Sequence, residues 1–237
     1  MYTHSKGIIL RTVKYSESSM ILDMYTHEVG RKSYIISGIR SKQAKTKAGV
    51  LQVMGLVEFI SYSKETASLT RIKEIKADYL YHQIPFQVMR SCLGIFIMEI
   101  SSKTIKETEA NSSLFDFLRG SLLRLDQKKL QDLSLFHIQF LLGLSKHLGF
   151  AIQDNFSSEL NMLSLNDGVF SSHDFGTNYT LDAESSLGLI QIIRKEKTRI
   201  PKTQRDRILD SLLLYYKYHI DDFGKIKSLD VLRSIFS

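Results

Sequence analysis

The hydrophobic period switches from two to three and four near Pro85, and that switch limits the folds open to this chain. Before it, short segments rich in β-branched and aromatic residues alternate with polar positions and are divided by polar or glycine-containing turns: "GIILRTVKY", "MILDMY", "RKSYIIS", "GLVEFISYS" and "LTRIKEI". These are strand signals. Five strands in about eighty residues fit a small closed barrel, because closure removes the exposed sheet edges, and a compact Greek-key barrel of this size is the oligonucleotide-binding (OB) fold.

After Pro85 apolar residues recur at three and four. "FQVMRSCLGIFIMEISSK" places Val88, Cys92, Leu93, Phe96, Ile97 and Ile100 on one helical face, and "SSLFDFLRGSLLRLD" and "LQDLSLFHIQFLLGLSKHLGF" repeat the pattern. Ser112 or Ser113 is the expected cap of the second helix, and Gly149 the expected end of the third. Residues 151–184 lose the period and gain Asn, Ser, Asp and Gly, which reads as a loop or small hairpin inserted among helices. Helical spacing returns in "SSLGLIQIIRK", "TQRDRILDSLLLYYKYHI" and "SLDVLRSIF". The expected architecture is α+β, with an OB barrel at 1–80 followed by a helical domain at 81–237.

Charge is concentrated in the barrel region. Residues 1–80 hold 13 Lys and Arg against 7 Asp and Glu, whereas residues 81–237 hold 19 against 18. From Val29 to Val57 there are six cations (Arg31, Lys32, Arg40, Lys42, Lys45, Lys47) and no acid. The stretch "SGIRSKQAKTKAG" contains four of them and connects the third and fourth strand candidates at the barrel's rim. A patch of one sign beside a barrel that presents a face to single strands points to phosphates. The expected phosphate-binding residues are Arg11, Lys14, Arg31, Lys32, Arg40, Lys42, Lys45 and Lys47. Tyr25 and Tyr34, on neighbouring strand candidates, are either core residues or base-stacking ones. A secondary basic patch, "RKEKTRIPKTQRDR", holds Arg194, Lys195, Lys197, Arg199, Lys202, Arg205 and Arg207 against Glu196 and Asp206. Part of it complements a helix C-terminus, and the excess suits nucleic acid or an acidic peptide.

Several classes of chemistry lack their residues. Neither G-x-x-x-x-G-K-[ST] nor G-x-G-x-x-G occurs, so nucleotide hydrolysis is not expected. The histidines form no H-x-x-x-H or H-E-x-x-H pair, and Cys92 is the only cysteine, which excludes an internal disulfide and a cysteine-cluster metal site. Asp221 and Asp222 are adjacent acids after a basic helix, a pattern that solvates or caps a turn more often than it binds metal. No segment reaches the roughly 18 to 20 apolar residues of a membrane span, and the N-terminal apolar run is too short and too soon charged for a secretory signal. The expectation is a cytoplasmic, nucleoid-associated protein with no catalytic residue, cofactor or metal.

Taken in order, these segments resemble the RecO family of bacterial DNA repair and recombination mediators. The resemblance is carried by "GIILRTVKYSESSMILDMYTHEVGRKSYIISGIRSK", with its T-x-x-x-G-R step at Thr26, Gly30 and Arg31 and its Gly38-Ile39-Arg40 loop start. It continues in "LTRIKEI", "HLGF" and the tail "YYKYHIDDFGKIKSLDVL". It implies binding of single- and double-stranded DNA, annealing of complementary strands, partnership with RecR and with the C-terminal tail of single-strand-binding protein (SSB), and help in loading RecA. The residues after "LGF" depart from the family, many members of which hold a structural zinc there with two Cys-x-x-C pairs. Here only Ser157, Ser158, Ser171, Ser172 and His173 are present, so 151–184 is expected to be a degenerate zinc-finger-like insertion. Leu160, Met162, Leu163, Leu165, Val169 and Phe170 would replace the metal by packing. The rival readings are an OB-fold module that binds RNA or the ribosome, a hydrolase built on Asp221 and Asp222, and a contact with anionic membrane. The last lacks a basic amphipathic helix.

Overall fold

The structure, a computed structural model, describes residues 2–38, 48–62, 69–197 and 199–235. These residues fall into two compact units, 1–128 with 226–237 and 129–225.

The first unit opens with a closed five-stranded barrel: β1 (Tyr2–Lys14), β2 (Ser19–Thr26), β3 (Gly30–Ser37), β4 (Leu56–Tyr62) and β5 (Leu69–Tyr79), in the order β1-β2-β3-β5-β4. Neighbours are antiparallel except β3 and β5, which pair in parallel through Ser33–Leu69, Tyr34–Thr70 and Ile35–Arg71. This is the OB-type topology expected from the strand pattern. Strand β1 begins earlier than its alternating segment because it serves two partners. Tyr2–Ile8 pairs with β4 and Gly7–Lys14 with β2, with a register shift between Ile9 and Arg11. The inward positions Ile9, Leu22, Met24, Tyr34, Ile36, Val57, Phe59, Ile72 and Ile75 fill the interior with Leu51. At about 1.5–3 kcal/mol for each fully buried large apolar side chain, this core is the main stabilising contribution to the barrel.

Three helices complete the unit: α1 (Val88–Thr104), α2 (Ser112–Gln127) and the C-terminal α6 (Leu229–Ile235). Helix α2 is capped by Asn111, whose side chain accepts from the Leu114 N–H, one residue ahead of the serines suggested by the sequence. Buried charges fix the helices. The Asp126 carboxylate accepts from Tyr79 Oη at 3.0 Å and from the backbone N–H groups of His82, Gln83 and Ile84 at 2.8 to 2.9 Å. Burial opposes its charge, but these donors overcome that cost and hold the carboxyl below its ordinary range. Arg90 donates to the carbonyls of Leu125 and Lys128 at the end of α2 and to Gln87 Oε1. Glu99 on α1 receives the Lys227 and Ser228 N–H groups and the Ser228 hydroxyl just before α6, which ties the C-terminal helix to this unit.

The second unit packs α3 (Phe136–His147), α4 (Ala183–Ile193) and α5 (Lys202–His219) with a small sheet, β7-β6-β8, of Met162–Ser164, Val169–Ser171 and Thr180–Leu181. Gly149 ends α3 with φ 88°, a left-handed conformation that favours glycine. Phe150 then packs against Tyr215, Tyr216 and His219 of α5, and the two tyrosine hydroxyls donate to the Phe150 and Leu141 carbonyls.

Residues 151–184 are thus more than a loop or hairpin: three strands form there. Leu163, Leu165 and Phe170 are buried, Met162 and Val169 are partly buried, and Leu160 is exposed. Leu160 therefore does not replace a metal by packing. Polar pairing assists instead. The Asn155 amide donates to the Phe170 carbonyl and accepts from the Phe170 N–H, in the manner of a paired strand, and Ser186 links the Leu181 carbonyl to the Leu163 N–H. Among the described residues no group of three or more His, Cys, Asp and Glu side chains is placed to hold a metal ion.

His137 on α3 is buried, and burial first, with the nearby Arg205 charge, pushes its pKa from 6.5 down to about 4. The unfolded chain therefore takes up a proton below pH 6.5 that the folded chain refuses until about pH 4. Stability present above pH 6.5 should be lost on acidification, by about 3 kcal/mol at pH 4. Urea unfolding of wild type and His137→Leu at pH 7.5 and 4.5 checks this, since the variant should show a shallower loss.

Candidate nucleic-acid interface

Antiparallel registry decides which of the predicted cations lie together. Lys14, the last residue of β1, stands opposite Met20, which faces Ile36, whereas Arg11 stands opposite Asp23, which faces Ser33 farther along the sheet; both cations are exposed. At the same end the β1–β2 turn closes with Tyr15 N–H donating to the Ser19 carbonyl, and Ser19 faces Ser37, the last residue of β3. Gly38 then donates its N–H to the Ser18 carbonyl at 2.9 Å, with φ 79°. The chain thus enters the basic loop beside Lys14, with Arg11 about 10 Å farther along β1 at 3.3 Å per residue. Arg40, Lys42, Lys45 and Lys47 lie outside the described residues.

Arg31 and Lys32 are at the other end of β3, roughly 17 to 20 Å from Ser37 at 3.3 Å per residue. Lys32 faces Met24 and is partly buried. Arg31 is taken up structurally. Its Nη2 and Nε donate to the two Asp23 oxygens at 2.6 and 3.2 Å, and its Nη1 donates to the Ser102 and Ile105 carbonyls at 2.6 and 2.7 Å. Its own N–H donates to the Glu107 carbonyl. Gly30 beside it has φ 68°, and a Cβ there would stand 2.2 Å from the Glu109 carbonyl oxygen, so only glycine permits this approach. Thr26 Oγ1 donates to the Gly30 carbonyl and accepts from the Val29 N–H, closing the turn. The T-x-x-x-G-R step therefore locks the β2–β3 hairpin to the segment between α1 and α2.

The tyrosines divide in the same way. Tyr34 is core and meets Phe59 edge-on at 4.9 Å. Tyr25 is buried against Phe115, with its hydroxyl directed at the Asn111 carbonyl. Burial pushes both phenols up to about 12. Neither is available for stacking on a base. The exposed barrel cations that escaped the sequence reading include Arg71 and Lys73 of β5. The signal was present in "LTRIKEI", where they occupy outward positions.

In the secondary patch Arg194 makes a forked pair with Asp154 and Arg207 meets Asp182 at 3.1 Å. Lys195, Lys197, Arg199 and Lys202 are exposed, and Arg205 is partly buried. Lys195 adopts φ 57° just after α4. No helix among the described residues is long and apolar enough to cross a membrane.

Comparison with known proteins finds two family models that match in succession along the chain. The family model "Recombination protein O N terminal" matches residues 1–80, and "Recombination protein O C terminal" matches residues 87–230. The chain is 32% identical over 241 residues to the DNA repair protein RecO of Flavobacterium psychrophilum, covering all of both sequences. It is 32% identical over 242 residues to that of Bacteroides fragilis and 32% over 243 residues to that of Christiangramia forsetii, again over the full length of each.

Proposed function

The chain belongs to the Recombination protein O (RecO) family, and from that premise we propose that it is a non-catalytic DNA-binding mediator of recombinational repair. It binds single- and double-stranded DNA, anneals complementary strands and, with RecR and the SSB tail, promotes RecA loading in the cytoplasm, on the nucleoid. The two-part organisation at 1–80 and 81–237 divides DNA binding from partner docking.

The observation that carries this reading is the entry of the acid-free basic loop beside exposed Lys14 at one end of an OB-type barrel, with exposed Arg11 farther along the same strand. Such a surface neutralises the repulsion between two phosphate backbones and raises their local concentration, so pairing needs no reactive group. The contacts position DNA without reading its sequence. Lys195, Lys197, Arg199 and Lys202 offer the helical part a polyanion surface of its own. Docking of an acidic tail with apolar end residues is supported by Phe86 and Val88, 80% and 71% exposed at the start of α1. Arg90 joins this segment to the end of α2, donating to Gln87 Oε1 and to the Lys128 carbonyl.

The test is annealing of two complementary fluorescent oligonucleotides, each precoated with the cognate SSB, without nucleotide. Acceleration by this protein that disappears when the SSB tail is deleted is the expected result. DNA binding without acceleration would reject the mediator role, and preferential displacement of DNA by structured RNA would favour the RNA-binding alternative.

A further inference from the structure

Both tyrosines that the strand pattern offers for stacking are buried, but the barrel holds an exposed pair elsewhere. Tyr2 at the start of β1 lies directly opposite Tyr62 at the end of β4. Thr3 and Ser5 pair with Ser61 and the core residue Phe59, so the alternation of the pleat turns Tyr2, His4 and Lys6 outward with Tyr62, Ile60 and Glu58. The two rings are 5.3 Å apart at 57°, and the residues are 52% and 41% exposed.

Strand β5 brings positive charge to these rings. Its register with β4 slips between Ile60–Glu74 and Ser61–Ile72, which leaves Lys73 as the extra residue of a bulge. A bulge re-aims the side chain it carries, and here the Lys73 ammonium sits 4.3 Å from the centre of the Tyr2 ring. Arg71, two positions earlier, is exposed and registers against Ile35 of β3. Of the carboxylates in the adjoining rows, Glu58 is paired with Lys6 and Lys76, and Glu74 stands against Ile60.

An exposed ring pair with cations beside it is the constellation used to hold unpaired bases, whose faces stack on aromatics while their phosphates follow positive charge. A duplex has already stacked its bases on one another and can use only the cations. We propose that Tyr2 and Tyr62, with Lys73 and Arg71, form a stacking platform that gives this barrel its preference for single-stranded DNA over duplex. The platform rests on the DNA-binding reading above and adds strand selectivity to it.

Anisotropy titrations of the full-length protein with a labelled oligothymidine and with a duplex of equal length test it. Tyr2→Leu/Tyr62→Leu should lower single-strand affinity on the order of tenfold or more, leave duplex affinity within about twofold and leave the salt slope unchanged, whereas Tyr2→Phe/Tyr62→Phe should retain binding. Should the leucine variant fail to fold, wild-type protein irradiated with a 5-iodouracil oligonucleotide keeps the test open, with cross-links expected at Tyr2 or Tyr62. Unchanged single-strand affinity, equal losses on both DNAs, or cross-links confined to other residues would overturn the platform while leaving DNA binding intact. A wild-type protein that bound neither DNA would overturn the DNA-binding reading as well.

Discussion

Replacing Arg40, Lys42, Lys45 and Lys47 together by Ala should cut the salt dependence of DNA binding to about a third of its wild-type value. Each phosphate neutralised on duplex DNA contributes about −0.9 to the slope of log affinity against log salt. The four loop cations with Arg11 and Lys14 give a wild-type slope near −5, so affinity should fall on the order of 10³-fold between 50 and 200 mM salt. The variant keeps Arg11 and Lys14, and its slope should be about −2, with a loss of only about tenfold over the same range. Fluorescence titration with a duplex at four or five salt concentrations measures the slope directly. A variant whose slope matches wild type would place the DNA on another surface and leave the acid-free loop without this role.

The barrel and helices were legible because hydrophobic period is a local property. The switch from two to three-and-four spacing near Pro85 separates β5 from α1, and Gly149 ends its helix where a left-handed residue was expected. What the period does not encode is the partner of each polar group. Lys14 and Arg31 look alike in a charge count. Only registry shows that Lys14 stands at the end where the basic loop begins, while Arg31 faces Asp23 and the carbonyls of residues 102 and 105. Those carbonyls are some seventy residues away in the chain, so no local pattern announces them. Tyr25 and Tyr34 are core residues, as an aromatic in a strand more often is, but the sequence could not say against what: Tyr34 faces the barrel interior and Tyr25 faces Phe115, whose position depends on how the helix packs. The Tyr2–Tyr62 pair was missed because β1 extends five residues before its alternating segment, guided by β4 rather than by its own composition. Strand β8 is only two residues long and owes its existence to β6, so the region around it carried no strand signal.

Arg31 is where this distinction between structural and ligand-binding charge is tested most sharply. Arg31→Ala should destabilise the first unit by about 3 kcal/mol, because it strands a largely buried Asp23 carboxylate and two backbone carbonyls together. Lysine should rescue little of this, since a single ammonium cannot make the fork to Asp23 and reach both carbonyls at once. The double variant Asp23→Ala/Arg31→Ala should be less destabilised than the sum of its single changes, as expected for two residues that satisfy each other. Urea unfolding of wild type, Arg31→Ala, Arg31→Lys, Asp23→Ala and the double variant gives these energies. The same proteins, titrated with duplex at a temperature where all remain folded, should share the wild-type salt slope. If Arg31→Ala instead kept its unfolding midpoint and lowered the slope by about 0.9, Arg31 would be a phosphate ligand, and the T-x-x-x-G-R step would belong to the DNA surface rather than to the seam between hairpin and helices.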